Sequence, residues 1–182
     1  MRNMNRTLSL NVSDHAGHRQ LWRDAYQHMG VVGHDITGVD PSEEGIQQAL
    51  VTDGSIRLYV GNAYDALQER FGQFPVLVSL EVVEHVYYPR KYADCVANLL
   101  ESGGTAIIST PYHGYLKNLA LALTGKMDQH FTVLWDHGHI KFWSIKTLTR
   151  LFEEQGMTRT KVIKVGRFPI FAKSMILVFT KP

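Results

Sequence analysis

The stretch PVLVSLEVVEHV, residues 75–86, joins two kinds of chemistry. Its first half is a nearly unbroken apolar run, the pattern of a strand covered on both faces and hence of a parallel sheet sandwiched by helices. Its second half sets Glu81, Glu84 and His85 within five positions. In open parallel sheets ligands bind beyond the carboxyl ends of the strands, which is where these three side chains would fall.

Outward from this stretch, strands and helices alternate from residue 35 onward, as a parallel sheet requires. DITGVD (35–40) reads as a short strand ending in an acid. PSEEGIQQAL (41–50) reads as a helix with an early proline, an acidic first turn, and Ile46, Ala49 and Leu50 on one side. SIRLYV is the next strand, and NAYDALQERFG a loop with a short helix. PRKYADCVANLLESGG predicts a helix stopped by Gly103 and Gly104, followed by the strand TAIIST. Residues 112–143 break the alternation and carry a helical insertion. SIKTLTRLFEEQG restores a helix, and MTRTKVIKVG with SMILVFTKP predicts a final antiparallel hairpin. The first 32 residues form a divergent segment in which RTLSLNVS is open to reading as the first strand. HRQLWRDAYQHM there reads as a helix with Leu21, Ala25 and Met29 on one face. With no repeat or linker visible, residues 33–182 read as one domain.

The 182 residues suit one domain with one core, and 45% hydrophobic with 20% charged residues is the balance of an ordinary globular chain. A net charge of +2 without clustered Lys or Arg argues against a dedicated nucleic-acid binder. Cys95 is the sole cysteine, so no intrachain disulfide forms, which suits a reducing cytoplasm. The N-terminal residues lack the apolar core of a signal peptide, and no run of about 18 apolar residues is present to span a bilayer.

Four strand ends carry candidate site residues. Asp40 ends the first, where a carboxylate accepts hydrogen bonds from both hydroxyls of a ribose. Asn62, with the Ala63 backbone beside it, follows the second and offers an amide to the edge of a purine. LEVVEHV is the third, and STPYHGY the fourth. An acid for ribose and an amide for base, set around one crevice, imply a nucleoside-containing cofactor.

These residues resemble a known family. GHDITGVDPSEEGI, VGNAYDAL, LVSLEVVEHV, LLESGGTAIISTP and HIKFWSIKTLTRLFEEQG look like the successive motifs of class I S-adenosylmethionine-dependent methyltransferases, most closely the branch with the O-methyltransferases of ubiquinone biosynthesis. The resemblance covers about residues 33–182. It implies a Rossmann-like α/β fold with a seven-stranded, mostly parallel sheet whose last two strands form the antiparallel hairpin. It also implies S-adenosylmethionine as cofactor, with Asp40 and Pro41 at the adenosyl ribose, Asn62 and Ala63 bordering adenine, and Leu80 and Glu81 near the methionine end. One departure stands out: the family opens with a Gly-x-Gly loop that lets backbone approach the cofactor. Here that region reads LNVSDHAGHRQ, with only Gly17 in it and Asn11 and Ser13 where glycines are expected.

For Glu81, Glu84 and His85 three readings stand open. They orient the cofactor or cap neighbouring structure; they hold a metal; or one of them, His85 or Glu84, is a catalytic base, the imidazole having a suitable ordinary pKa near 6.5. Two carboxylates and an imidazole suit Mg²⁺ or a similar divalent ion. HGHIKFW adds His137 and His139. Small-RNA 2′-O-methyltransferases look similar here, and that resemblance implies Glu81, Glu84, His85 and His139 as ligands.

YLKNLALALTG (115–125) places Leu116, Leu119, Ala120 and Leu123 on nearly one helical face, predicting a helix packed on the sheet, a lid, or a helix lying in a membrane interface. Phe131, Trp135, Phe142 and Trp143 are candidates to line an apolar acceptor pocket or to join the core. The expectation is therefore methyl transfer to an oxygen of a small, partly apolar acceptor. A noncatalytic scaffold of the same fold and a metal-dependent RNA 2′-O-methyltransferase are the alternatives. The expected location is cytoplasmic, with peripheral contact to the inner membrane through 115–125.

Overall fold

A computed structural model describes residues 6–10, 35–52, 57–131, 133–135, 138–166 and 172–182. Asn11, Ser13, Gly17, the helix expected over 18–29 and His137 lie outside the described residues.

The strands are β1 (Arg6–Leu10), β2 (Asp35–Asp40), β3 (Arg57–Val60), β4 (Phe74–Leu80), β5 (Leu100–Pro111), β6 (Thr158–Val165) and β7 (Ser174–Thr180). The helices are α1 (Glu43–Thr52), α2 (Leu67–Phe71), α3 (Pro89–Leu99), α4 (Tyr115–Leu123), α5 (Met127–Phe131) and α6 (Ile145–Glu153). One seven-stranded sheet runs in the order β3-β2-β1-β4-β5-β7-β6. RTLSL does form a strand, and a central one: Leu8 pairs in parallel with both Thr37 of β2 and Leu77 of β4. The pairs β2–β3 and β4–β5 are also parallel. Strand β7 is antiparallel to both β5 and β6, giving the expected hairpin. This is the Rossmann-like arrangement, and its strand order reverses between β1 and β4, the position at which such sheets open a ligand crevice.

Burial follows from the sequence pattern. Leu8 and Leu10 of β1 and Leu77 and Val78 of β4 are closed off from solvent, as central strands covered on both faces require. Against them pack Tyr92, Ala93, Val96 and Leu99 of α3 and Leu148, Leu151 and Phe152 of α6, each set at helical spacing. Helix α6 starts where Ser144 and Thr147 form a reciprocal capping box and stops before Gly156, whose φ of +74° suits glycine. Cys95 is buried on α3, as expected of a small apolar side chain. Burial, then the nearby Asp94 and Asp65, push its thiol up to about 12.

One boundary differs from expectation. Helix α3 ends at Leu99, before the glycines, because Leu100 is already extended and pairs with Phe74. Gly103 and Gly104 lie in the irregular opening of β5, Gly103 with φ +78°. The helix end is instead satisfied from the far end of the chain, where Lys181 Nζ donates to the carbonyls of Ala97 and Leu100 at 2.8 and 2.9 Å. The insertion forms α4 and α5, and neither helix buries a residue.

Candidate functional site

The crevice is built from strand ends. Asp40, only 7% exposed, closes β2, and its Oδ1 accepts a hydrogen bond from Ser42 N–H at 2.7 Å. Ser42 in turn accepts from Gly45 N–H, so the turn through exposed Pro41 is fixed by the start of α1. Beyond β3, Asn62 is exposed. Its Oδ1 accepts from Tyr64 N–H at 3.1 Å and its own N–H donates to Asp65 Oδ2 at 2.7 Å, which leaves its NH2 group as the donor toward a base. Ala63 beside it packs on the core. Leu80 ends β4, half-buried, next to the crevice. Asp40 thus sits on one side of β1 and Leu80 with Glu81 on the other, flanking the point of strand-order reversal.

Glu81 adopts φ +53°, a left-handed conformation unusual for a residue with a side chain. The turn is clamped to β5: Glu81 N–H donates to both the carbonyl and the hydroxyl of Ser109, and Ser109 Oγ donates back to Glu81 Oε1 at 2.8 Å. Burial raises the Glu81 carboxyl above its ordinary range, partly offset by Ser109. Glu84 goes further. It is 1% exposed, and its carboxylate oxygens lack a well-formed hydrogen bond, with Thr110 and Glu81 lying only loosely against them. Burial first, then the charge of Glu81, raise its pKa well above the usual value. A buried polar group left so costs about 1–3 kcal/mol, more if charged.

The chain returns over this turn from residue 138 onward. The Glu84 carbonyl accepts from both Ile140 N–H and Lys141 N–H at 2.9 Å, and Trp143 Nε1 donates to the Val83 carbonyl at 2.9 Å in the core. Trp143 is therefore an anchor within the core. These bonds bring His139 Nε2 to 4.0 Å from Glu84 Oε1 and the His139 ring to 4.9 Å from that of His85. Possible ligand atoms of Glu84, His85 and His139 all lie within 4.8 Å of one another. The fourth expected ligand, Glu81, is not in that group, its carboxyl being turned to Ser109. Trp135 stands edge-on to both imidazoles, 5.3 Å from His139 and 6.1 Å from His85.

The sequence reading did not single out His113, just past β5. Its half-buried imidazole meets Phe142 edge-on at 5.0 Å, lies near-parallel to Phe131 at 6.1 Å and faces His130 at 5.7 Å. Its Nδ1 is buried without a partner. Burial, then the positive fields of Lys117, His130 and His139, hold its pKa down to about 4. The available signal was its place in STPYHGY, a strand end like the others.

The strand order, the hairpin and the strand-end acid together define a Rossmann-like class I methyltransferase fold. The chain belongs to the methyltransferase-domain family, whose model matches residues 21–162, and that membership implies S-adenosylmethionine as cofactor. It is 38% identical over 111 residues to the ubiquinone biosynthesis O-methyltransferase of Caulobacter sp. (strain K31), covering 59% of this chain and 42% of the relative. The mitochondrial ubiquinone biosynthesis O-methyltransferase of Homo sapiens is 26% identical over 142 residues, covering 74% and 38%. The chain thus spans about two fifths of the length of these relatives. Among solved structures, an O-methyltransferase family protein from Burkholderia thailandensis superposes with TM-score 0.70 at 14% identity, over 98% of this chain and 51% of that one. An S-adenosylmethionine dependent methyltransferase from Mesorhizobium loti gives 0.65 at 13%, over 97% and 90%. At these identities the likeness is one of fold.

Proposed function

We propose that this chain transfers the methyl group of S-adenosylmethionine to a hydroxyl oxygen of a small, partly apolar acceptor. The observation that carries this is the placement of buried Asp40 and the left-handed Glu81 turn on either side of the strand-order reversal, an arrangement suited to a ribose on one side and a charged amino-acid end on the other. Asp40 and Pro41 would hold the ribose, Asn62 and Ala63 border the base, and Leu80 and Glu81 face the methionine end. The cofactor supplies an electrophilic methyl on a sulfonium, so the chain's own task is to align an oxygen with it and exclude water.

A divalent ion belongs to this proposal because Glu84 fits one. A buried carboxyl without a well-formed hydrogen bond, next to two imidazoles, gains from a cation that strengthens its incomplete set of partners. Glu84, His85 and His139 would hold it. A bound ion there supplies Lewis acidity that favours the deprotonated form of a coordinated hydroxyl. His85 is thereby assigned to the ion in preference to acting as a lone base.

Calorimetric titration with S-adenosylmethionine tests the reading. Wild type is expected to bind and Asp40→Ala to lose at least about tenfold in affinity, from the loss of charge-assisted bonds. No heat from wild type at high micromolar cofactor would leave only the scaffold alternative.

The insertion supports contact with an apolar acceptor's environment. Tyr115, Leu116, Leu119 and Leu123 of α4 are all exposed, the disposition of a helix lying in a lipid interface. No helix among the described residues is long and apolar enough to cross a membrane. A cytoplasmic location with α4 touching the surface of the inner membrane is part of this proposal, and the exposed leucines of α4 are what support the contact.

A further inference from the structure

Toward its hairpin the sheet is sealed on one side only. Along β7 the side chains alternate: Met175, Leu177 and Phe179 are closed to solvent, while Ile176 and Val178 between them are half-buried. Residues paired across strands share a side, so the register extends this second side over four strands. It runs through Val76 of β4, Ile107 of β5, Ile176 and Val178 of β7, and Ile163 and Val165 of β6. Ile107 lies opposite Val178 and Ile163 opposite Ile176, and Ile163 and Val165 are 38% and 45% exposed.

The helices packed on these strands, α3 and α6, lie on the sealed side: Phe152 of α6 meets Phe179 at 4.5 Å, and Tyr92 of α3 is hydrogen-bonded to Ser79. Among the described residues no other helix packs extensively on these four strands. Sheets of this kind sit between two covering layers, so a contiguous open run of Val and Ile marks a surface that something else covers.

The size and charge of the face select its occupant. Strands of seven residues, rising about 3.3 Å per residue and set about 4.8 Å apart, give four strands a flat area of roughly 440 Å² and a width of about 19 Å. A single helix, about 10 Å across, covers half of that width. A second sheet of equal width covers all of it, at a spacing of about 10 Å. Two copies enclose about 900 Å² before the relief of the side chains is added, which reaches the roughly 1,000 Å² of a specific but weak contact. The paired positions of these strands include no acidic residue, and Lys161 stands at the rim on the outermost strand, so a charged partner finds only that rim contact.

We propose that two copies of this chain dimerise through this face, the β4, β5, β7 and β6 strands of one packed on those of the other about a twofold axis. The contact uses the faces of the strands and not their ends, which leaves the carboxyl edge with Asp40 and Glu84 open. The inference does not rest on the methyl-transfer reading.

Sedimentation of the full chain from about 1 to about 100 µM tests it. Wild type should pass from monomer to dimer over this range. Ile163→Lys sets a charge against the partner copy and occurs twice in each pair, so association should weaken at least about tenfold, while the exposed position leaves the thermal midpoint unchanged. Val165→Lys, at a more exposed position of the same face, serves if Ile163→Lys does not fold. Leu123→Ser, on the other exposed apolar surface, should leave association as in wild type. A wild type that stays monomeric up to about 100 µM overturns the proposal. So does a dimer that survives the lysine variants, or one lost in Leu123→Ser alone, which would place the contact on α4.

Discussion

Helices α3 and α4 carry apolar faces of similar period, yet they meet opposite fates. Tyr92, Ala93, Val96 and Leu99 of α3 are sealed against β4 and β5, whereas Leu116, Leu119 and Leu123 of α4 stand in solvent. Periodicity forecasts that a segment is helical and which side is apolar. It does not say what covers that side. Around α3, the covering is set by the sheet. Helix α4 comes after the last parallel strand pairing, where the chain has left the layered plan, and the site it borders is where polar atoms lack partners.

The largest effect that sharpens this contrast is expected in α3. Leu99 is fully buried, so Leu99→Ala should destabilise by about 2–5 kcal/mol through lost transfer energy and the cavity left behind, read from the urea midpoint. A loss under about 0.5 kcal/mol, the size typical of surface positions, would mean that α3 is not the covered helix described here.

Next in size is the pH dependence of the site. Glu84, and to a lesser extent Glu81, has a folded pKa above the ordinary 4.5 because burial penalises its charged form. The folded state then binds more protons than the unfolded one above that pH, so stability falls as pH rises from about 4.5 through the raised folded values. His113 acts in the opposite direction: with a folded pKa of about 4 against an ordinary 6.5, it takes stability away as pH falls through that window. In metal-free protein, Glu84→Gln should flatten the loss on the alkaline side, and His113→Phe the loss on the acid side. Melting temperatures across pH 4 to 8 separate the two, and Mg²⁺ should restore wild type at neutral pH while leaving Glu84→Gln unmoved.

How far the residues foretold all this differs from place to place. The parallel sheet was legible because PVLVSL and its neighbours repeat one rule, an apolar strand followed by a helix. The hairpin was legible because MTRTKVIKVG and SMILVFTKP are two strand patterns with no helix between them. The order of the strands was not legible. The central place of RTLSL was harder to see, since five residues carry little pattern and it is the pairing of Leu8 with Thr37 and Leu77 that reveals it. The α3 terminus was misread from its glycines because the actual cap, Lys181, is 84 residues away from Ala97 in sequence. Three of the four expected metal ligands converge, but Glu81 turns to Ser109, a partner on another strand that no local motif announces. His113 escaped notice because its character comes from Phe131 and Phe142, brought there by the folded chain. The stretch in which glycines are missing lies outside the described residues.

The smallest expected effect on stability is at α4, and it decides what the uncovered face is for. Leu123 is 78% exposed, so Leu123→Ser should change folding stability by no more than about 0.5 kcal/mol. If the face instead dips into lipid, the same change removes a leucine from the bilayer boundary, where burial of such a side chain is worth about 1.5–3 kcal/mol. Vesicle flotation should therefore show wild type partly bound and Leu123→Ser reduced by about tenfold or more in partition, at unchanged thermal midpoint. With Lys117 as the sole cationic side chain on α4, the attraction should depend little on anionic lipid. Equal flotation of both proteins would remove the lipid reading. A fall in midpoint with no change in flotation would show that α4 is covered after all, erasing its contrast with α3.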